Sequence, residues 1–273
     1  MLVNRPNITE KNYRKLSLGL NASGFSFCTT DTLTNKILSV KEVRFSEVGN
    51  GNTADEYYAR AFAENDELSQ RFDEVVATHE NGWSTFVPRA LFDENFIGSY
   101  LQYNVKVFET DLVTYDEMPT YEMNNVYLPF AGINSFLEGK FGPVRYRHAS
   151  SVLVARLLDS SKNNDEKQVF VHFSDRRFDL IVVQNQKLLL FNSFDYRTKE
   201  DFIYYLLFSA EQLNLNPEFF QLQLLGDISQ DDDCYKIAYT YIRNVSLLDV
   251  SGLQAKNEFT EAENRKHFIL FQS

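Results

Sequence analysis

Apolar and polar positions follow one another most regularly between residues 168 and 194. Three apolar runs lie there, Val169 to Phe173, Phe178 to Val183 and Leu188 to Phe191, and only a few polar residues separate each run from the next. Runs of this length between short polar gaps are typical of strands, and Asn185 in the second gap can adopt the positive φ that a tight hairpin needs. The pattern predicts a three-stranded antiparallel meander.

A similar pattern lies about 150 residues earlier in the chain. Apolar residues alternate with small or polar ones from Leu16 to Leu20 and again from Phe25 to Cys28, and Ile37 to Phe45 gives a third run. Alternation with a period of two indicates half-buried strands. A second meander is therefore predicted in the first half of the chain.

Further elements are predicted after each meander. Ala54 to about His79 carries apolar residues at mostly helical intervals, which predicts one long amphipathic helix or two short ones. The other predicted elements of the first half are strands at 83–87, 126–129 and 144–148 and helices at 89–101, 132–141 and 149–158. Those of the second half are helices at 198–213 and 231–243, strands at 219–225 and 245–250, and an edge strand at Phe268 to Phe271.

The two halves therefore share an order of elements: meander, helix, strand, helix and a further strand. Repetition of an order without obvious sequence identity indicates a duplicated unit. The polar loop from Ser160 to Lys167 is the predicted boundary. We expect a first lobe with a connecting segment at residues 1–159 and a second lobe at residues 160–273.

Composition narrows the classes of partner. The formal net charge of −11 opposes a non-specific grip on nucleic acid or on an anionic membrane. Met1 to Lys15 lacks the apolar core of a signal peptide, and no apolar run reaches the length of a membrane span. Cys28 and Cys234 suit free thiols in a reducing compartment. We expect a cytoplasmic protein that has a protein, a peptide or a small molecule as its partner.

The duplicated order resembles a known superfamily. A meander followed by helices that cross over to parallel strands is similar to the ribonuclease-H-like fold, and two copies face to face are similar to the actin-like ATPase arrangement. The chain resembles in particular an uncharacterised bacterial domain-of-unknown-function family with this fold. The resemblance implies an α+β protein, with α/β-type lobes built on mixed sheets, that consists of two ribonuclease-H-like subdomains.

The resemblance also implies where a nucleotide would bind. Active members of the superfamily hold phosphates in the hairpin turn after the first strand of each lobe, where glycines let backbone amides approach and an acid positions Mg²⁺. The matching positions are Asn21, Ser23 and Gly24 in the first lobe and Asp175 in the second, with Gly226 in the turn near the adenosine. An acid is missing from the first turn and a glycine from the second. These five residues are candidates for a vestigial nucleotide cleft.

The sequence gives little support for a metal site, a catalytic triad or a nuclease. Asp231, Asp232 and Asp233 directly precede a predicted helix, so capping explains them better than a metal site does. The four histidines have no metal-ligand spacing, and nothing nominates a Ser-His-acid or Cys-His catalyst. Leu16 to Leu20 carries no carboxylate, which argues against a two-metal nuclease. Arg145 to His148 is basic, and a solvated strand explains it.

The function that this pattern favours is a non-catalytic binding or scaffold module with a degenerate nucleotide cleft. It resembles the adaptor members of the superfamily, such as those of pilus and secretion machines, more than the sugar kinases. The alternative is a divergent phosphotransferase or ATPase that uses ATP with magnesium. A third hypothesis is a purely structural homo-oligomer, whose mass in solution would be a multiple of 31.7 kDa.

Overall fold

The computed structural model describes residues 11–45, 54–103, 105–108, 110–252 and 256–273. Thirteen strands lie within these residues. They are β1 (Arg14–Asn21), β2 (Gly24–Asp31), β3 (Lys36–Arg44), β4 (Glu74–His79), β5 (Ser84–Pro88), β6 (Thr114–Met118), β7 (Met123–Tyr127), β8 (Arg145–His148), β9 (Gln168–Ser174), β10 (Arg177–Gln184), β11 (Lys187–Asp195), β12 (Gln221–Gly226) and β13 (Asn244–Leu247).

Helices connect these strands. Within the same residues the α-helices are α1 (Ala54–Ala63), α2 (Ala131–Phe141), α3 (Ala149–Ser160), α4 (Lys199–Gln212), α5 (Asp233–Tyr241), α6 (Glu261–Lys266) and α7 (Phe268–Gln272). Short 3-10 helices lie at Asp66–Ser69, Arg89–Leu91, Glu94–Leu101 and Pro119–Tyr121. The longest, α4, begins with a capping box in which Thr198 and Asp201 bind each other's backbone amides.

Both predicted meanders are confirmed, and two parallel strands extend each of them. The first sheet has the order β3-β2-β1-β4-β8 and the second has the order β11-β10-β9-β12-β13. In each sheet the central first strand pairs antiparallel with the next strand and parallel with a strand that follows a helix. Asn185 has a φ of 44° in the β10–β11 turn, as predicted. We call these sheets and their helices the first and second lobes.

The helix predicted from Ala54 to about His79 is wrong in its second half. Helix α1 ends at Ala63, and β4 enters the first sheet between β1 and β8. Val75, Val76 and Thr78 are β-branched and buried, and such side chains fit a pleated surface better than a helix. The helix predicted at 89–101 is also replaced, by two 3-10 helices.

Each lobe sends its last helix onto the sheet of the other. The apolar side of α3 packs against the second sheet, where Leu153 and Leu157 share a core with Phe170 and Ile181. Helix α7 packs on the first sheet through Leu270. The edge strand predicted at Phe268 to Phe271 is therefore wrong, because a short helix buries three consecutive residues there, Phe268, Ile269 and Leu270, between the two lobes.

A small additional sheet interrupts the first lobe between β4 and α2. It has the order β5-β7-β6, and the 3-10 helices at 89–101 lie over it. We call residues 84–127 the insertion. Its core is a separate cluster built on Val87, Leu101 and Val126, together with Leu128 directly after β7. The insertion thus has a core of its own, and through Phe86, Met118 and Met123 it also joins the core between α3 and the second sheet.

Two predictions from the sequence are not tested by the described residues. The division between residues 159 and 160 stays a prediction. Residues 1–10 of the segment expected to lack a signal peptide lie outside the described residues. Among the described residues, none of the helices has the length and apolar character that crossing a membrane requires.

Candidate functional site

A cavity of about 360 Å³ lies between the two lobes. Asn21, Ser23 and Gly24 line it from the β1–β2 turn, and Asp175 lines it from the β9–β10 turn. Gly226 is not among the described residues that line the cavity, although the next residue, Asp227, is. The fold therefore brings four of the five candidates to one cavity and places the fifth beside it. Their role in binding a nucleotide stays a prediction.

Both candidate glycines are needed by the backbone itself. A Cβ on Gly24 would lie 2.1 Å from the carbonyl oxygen of Val43, and a Cβ on Gly226 would lie 2.1 Å from that of Phe173. Gly226 also has a φ of +89°, a conformation that residues with a side chain rarely adopt. Close strand packing thus explains these glycines without any ligand.

The polar groups of the first turn bind one another. Asn21 Oδ1 accepts hydrogen bonds from the Ser23 backbone N–H at 3.0 Å and from the Ser23 hydroxyl at 3.1 Å. The Asn21 side chain also hydrogen-bonds the carboxyl group of Glu80. From α1, the Tyr58 hydroxyl donates to the Gly24 carbonyl oxygen at 2.9 Å. The turn is held in place by bonds inside the protein.

Glu80 follows β4 and lines the cavity, and it was not among the predicted site residues because β4 was predicted to be helical. A Cβ on Gly19 would lie 2.2 Å from Glu80 Oε1, so the glycine leaves room for this carboxyl group. Burial raises the pKa of Glu80, and His172 and Arg177 oppose that rise. Enzymes place carboxyl groups with raised pKa values in clefts for proton transfer, although internal ion networks shift pKa values as well.

Substituting Gly19→Ala is expected to destabilise the protein by about 1–3 kcal/mol, because the new methyl group displaces the Glu80 carboxyl group. Denaturant unfolding measures the change. In the Glu80→Ala background the same substitution should cost less, and a cost that is unchanged would show that Glu80 does not occupy this space. Ser26 Oγ, 2.7 Å from the same Cβ position, accounts for any remaining cost.

A buried charged group forms the second-lobe side of the cavity. Asp179 lies opposite His172 in the β9–β10 register, with Asp179 Oδ2 3.5 Å from His172 Nδ1. Asp179 Oδ1 lies 3.5 Å from Arg177 Nε and accepts a hydrogen bond from Ser193 Oγ at 2.6 Å. Desolvation works to raise the pKa of Asp179, but Arg177 and His172 outweigh it and hold the pKa at about 2. Asp179 is therefore ionised and paired.

The sequence contains a pattern that could have predicted the contact between His172 and Asp179, but the sequence analysis did not use it. His172 and Asp179 interrupt two otherwise apolar strands, and both are buried. Buried polar residues in apolar strands need partners, so a pair of them predicts contact. Their pairing depends on the β9–β10 register, which follows from the length of the connecting turn.

A serine, a histidine and an amide also meet at the base of the cavity. His148 Nδ1 lies 2.6 Å from Ser150 Oγ, and His148 Nε2 lies 3.2 Å from Asn81 Oδ1. The order resembles that of a nucleophilic triad. However, Nδ1 accepts the Ser150 backbone N–H, so His148 caps α3, and Ser150 Oγ also contacts Ser84 Oγ and Asn125 Nδ2.

This network is buried throughout and joins the first lobe, the insertion and α3. Burial lowers the pKa of His148 to about 3, so the imidazole is neutral. A neutral capping histidine whose neighbouring hydroxyl is shared by two further partners is a structural arrangement. The geometry therefore supports a positional role for His148 and Ser150.

The remaining sequence motifs have partners within the protein or no ligand-binding geometry. The prediction that the aspartates cap α5 is wrong for Asp232, which stands at the N-cap but accepts the Ser229 backbone N–H instead of a helix amide, whereas Asp233 lies in the first turn. Among the described residues there is no group of three or more His, Cys, Asp or Glu side chains that could hold a metal ion. Arg145 pairs with Glu74 at 3.2 Å. Cys28 is buried and Cys234 half-buried, and both are free thiols.

Solved structures share this arrangement of two duplicated lobes. A Bacteroides thetaiotaomicron protein with an actin-like ATPase fold and unknown function is similar at a TM-score of 0.76 and 22% identity, over 91% of this chain and 94% of that one. The PilM-PilN type IV pilus biogenesis complex is similar at a TM-score of 0.62 and 14% identity, over 94% and 96%. The chain therefore has an actin-like ATPase fold, as predicted.

A family model identifies the chain more closely. The chain belongs to the family described as protein of unknown function (DUF3822), whose model matches residues 4–245. A comparison with curated proteins finds no match. These findings confirm the predicted family and fold, and they assign no activity.

Proposed function

We propose that this protein is a non-catalytic binding or scaffold module in which the inter-lobe cleft is a degenerate nucleotide site. The observation that carries the proposal is that the side chains best placed to meet a phosphate, Asn21 in the first turn and Arg177 in the second, already have partners inside the protein. Asn21 binds Ser23 and Glu80, and Arg177 is paired with Asp179. A phosphate group would have to displace these partners.

The two turns that face the cavity lack the accessible backbone amides that would bind the phosphates of Mg-ATP. Phosphate loops bind through backbone amides that glycines leave accessible. The second turn, Ser174 to Arg177, has no glycine, and in the first turn Gly24 is packed against β3. The Arg177 side chain, which is 18% exposed, reaches to within 3.2 Å of the Cβ position of Gly82 across the cleft. The Arg177 side chain is thus directed towards Gly82 in the first lobe and away from a free, phosphate-binding position.

The charge of the lining also disfavours a polyanion. Carboxylates outnumber guanidinium and ammonium groups among the described lining residues, with His148 neutral. The acids are Glu42, Glu80, Asp175, Asp179 and Asp227, and the cations are Arg44, Arg176, Arg177 and Lys266. The lining therefore has no excess of positive charge that would attract a triphosphate.

The proposed partner is a protein or peptide. The PilM-PilN structure is a protein complex in which the fold is similar to that of this chain, which supports a protein partner as one use of the fold. The proposal places the protein in the cytoplasm, the compartment that suits its two free thiols. A homo-oligomer is compatible with it and would appear as a solution mass that is a multiple of 31.7 kDa.

A divergent phosphotransferase or ATPase is the second candidate. It is favoured by the convergence of Asn21, Ser23, Gly24 and Asp175 on one cavity and by the raised pKa of Glu80 in the same wall. In that case the Glu80 carboxyl group is the residue suited to accept or hold a proton.

Thermal unfolding with and without millimolar Mg-ATP separates the two candidates. A ligand at 100 times its Kd stabilises a fold by about 2.7 kcal/mol, which would raise the Tm by about 5–10 °C for a chain of this size. We expect the Tm to change by less than about 1 °C. A rise of about 5 °C that disappears in Ser23→Trp and Asp175→Arg, but persists in the second-lobe surface variant Glu211→Arg, would contradict the proposal.

A further inference from the structure

The insertion carries an unusual number of exposed apolar side chains. Between Arg89 and Val113, side chains such as Phe92 and Leu101 pack into the insertion's core, whereas several other apolar side chains are exposed. The exposed ones are Leu91 (71%), Phe96 (65%), Tyr103 (96%), Phe108 (56%) and Leu112 (57%). Apolar groups in one outer layer mark an interaction surface.

Part of this layer is held rigidly. The Tyr100 hydroxyl donates to the Leu91 carbonyl oxygen at 2.8 Å and accepts the Asp93 backbone N–H at 2.8 Å. The Phe92 ring stacks on Tyr100 at 5.8 Å and contacts the Tyr115 ring of β6 at 4.7 Å. These contacts fix the corner between the two 3-10 helices against the insertion's sheet, so Leu91 and Phe96 stand on a pre-formed surface.

Two carboxylates border the same surface. Glu94 follows Phe92 by two positions, and Glu117 lies on the same side of β6 as Tyr115. The Phe92–Tyr115 ring contact brings the 3-10 segment that holds Glu94 to the strand that holds Glu117. Desolvation and then the charges of these two carboxylates raise the pKa of the Tyr115 phenol. Within the part of the chain that the structure describes, neither carboxylate has an ion-pair partner. We call Leu91, Glu94, Phe96 and Glu117 the insertion knob.

We propose that the insertion knob docks a basic amphipathic segment of a partner protein, with apolar side chains on Leu91 and Phe96 and Lys or Arg beside Glu94 and Glu117. Charge complementarity supports this occupant: two free carboxylates beside exposed apolar groups favour a segment with the opposite charge and the same apolar spacing. A second copy of the chain, at a net charge of −11, would meet repulsion instead. The inference deepens the proposed binding function by naming the surface and the class of partner.

The test uses the full-length chain and a defined probe. A fluorescein-labelled helical peptide of Leu and Lys in amphipathic order is titrated at low salt, and its anisotropy gives the Kd. Saturable binding in the micromolar range is expected, with the Kd raised at least about tenfold by Glu94→Lys/Glu117→Lys and by Leu91→Ser/Phe96→Ser. These four side chains lie on the surface, and an unchanged Tm verifies that each variant is folded.

A matched control separates docking from simple charge attraction. Glu166→Lys/Glu211→Lys makes the same change in net charge on the second lobe and should alter the Kd by less than about twofold. Equal weakening by both double variants, or no binding at about 1 mM chain, overturns the docking proposal. A loss of peptide binding leaves the Mg-ATP result unaffected, and a Tm rise with Mg-ATP leaves peptide docking unaffected, so the two proposals fail separately.

Discussion

Asp179→Ala is expected to lower the free energy of unfolding by about 3–5 kcal/mol, because it leaves the Arg177 guanidinium without its carboxylate in a buried site. The Ser193 hydroxyl loses its acceptor as well. Denaturant titration followed by circular dichroism measures the loss. Asp175→Ala, in the exposed turn four residues earlier, is the control and should change stability by less than about 0.5 kcal/mol. Equal effects of the two substitutions would contradict the assigned ion pair.

The same carboxylate determines part of the acid sensitivity. The pKa of Asp179 is lowered by Arg177 and His172 from 3.8 to about 2, so its contribution is complete above the unfolded-state pKa and is lost as the pH falls from about 4 towards 2. That difference corresponds to about 2 kcal/mol. In Asp179→Asn the wild-type fall in stability over this interval should be smaller by about that amount. If Asp179→Asn loses as much stability between about pH 4 and pH 2 as the wild type does, other groups cause the acid sensitivity.

Gly226→Ala is expected to destabilise the fold by about 2–5 kcal/mol. The positive φ costs about 1–2 kcal/mol once a Cβ is present, and the Cβ position 2.1 Å from the Phe173 carbonyl oxygen forces β9 and β12 apart at a further cost of about 1–3 kcal/mol. Because the obstacle is backbone, a rotamer change cannot relieve it. The free energy of unfolding measures the effect.

Gly139→Ala is the matched control for this glycine. Gly139 lies inside α2, and its Cβ position has nothing within 4 Å, so alanine should stabilise the helix by about 0.5–1 kcal/mol. A Gly226→Ala variant as stable as the wild type would show that Gly226 is free of this constraint. The position would then be available for the ligand-binding role that the sequence suggested.

The local pattern of the sequence was enough to predict both meanders. The apolar runs from Val169 to Phe173 and from Leu16 to Leu20 occur in strands whose alternation is set by their own residues and turns. Strand β4 was missed because its apolar residues continue the helical spacing of α1, and only its pairing with β1 and β8 decides that Glu74–His79 is extended. Helix α7 was missed because its burial depends on the other lobe.

The residues of the candidate site also fall into a group that local pattern predicted and a group that it missed. The turns that hold Asn21 and Asp175 were found because each follows the first strand of a meander. Glu80 and the Arg177–Asp179 pair were not found, since their contacts depend on β4 entering the sheet and on register across β9 and β10. Sequence thus located the two facing turns, and tertiary structure shows that Asn21 and Arg177 already have partners inside the protein.

Isothermal titration calorimetry with Mg-ATP tests that central claim most directly. The free energy of binding must offset the loss of the Asn21–Glu80 and Arg177–Asp179 contacts, so we expect no saturable heat at concentrations up to about 1 mM. Saturable binding with a Kd below about 0.1 mM, abolished by Asp175→Arg and retained in Glu211→Arg, would contradict the account and identify the cleft as a working nucleotide site.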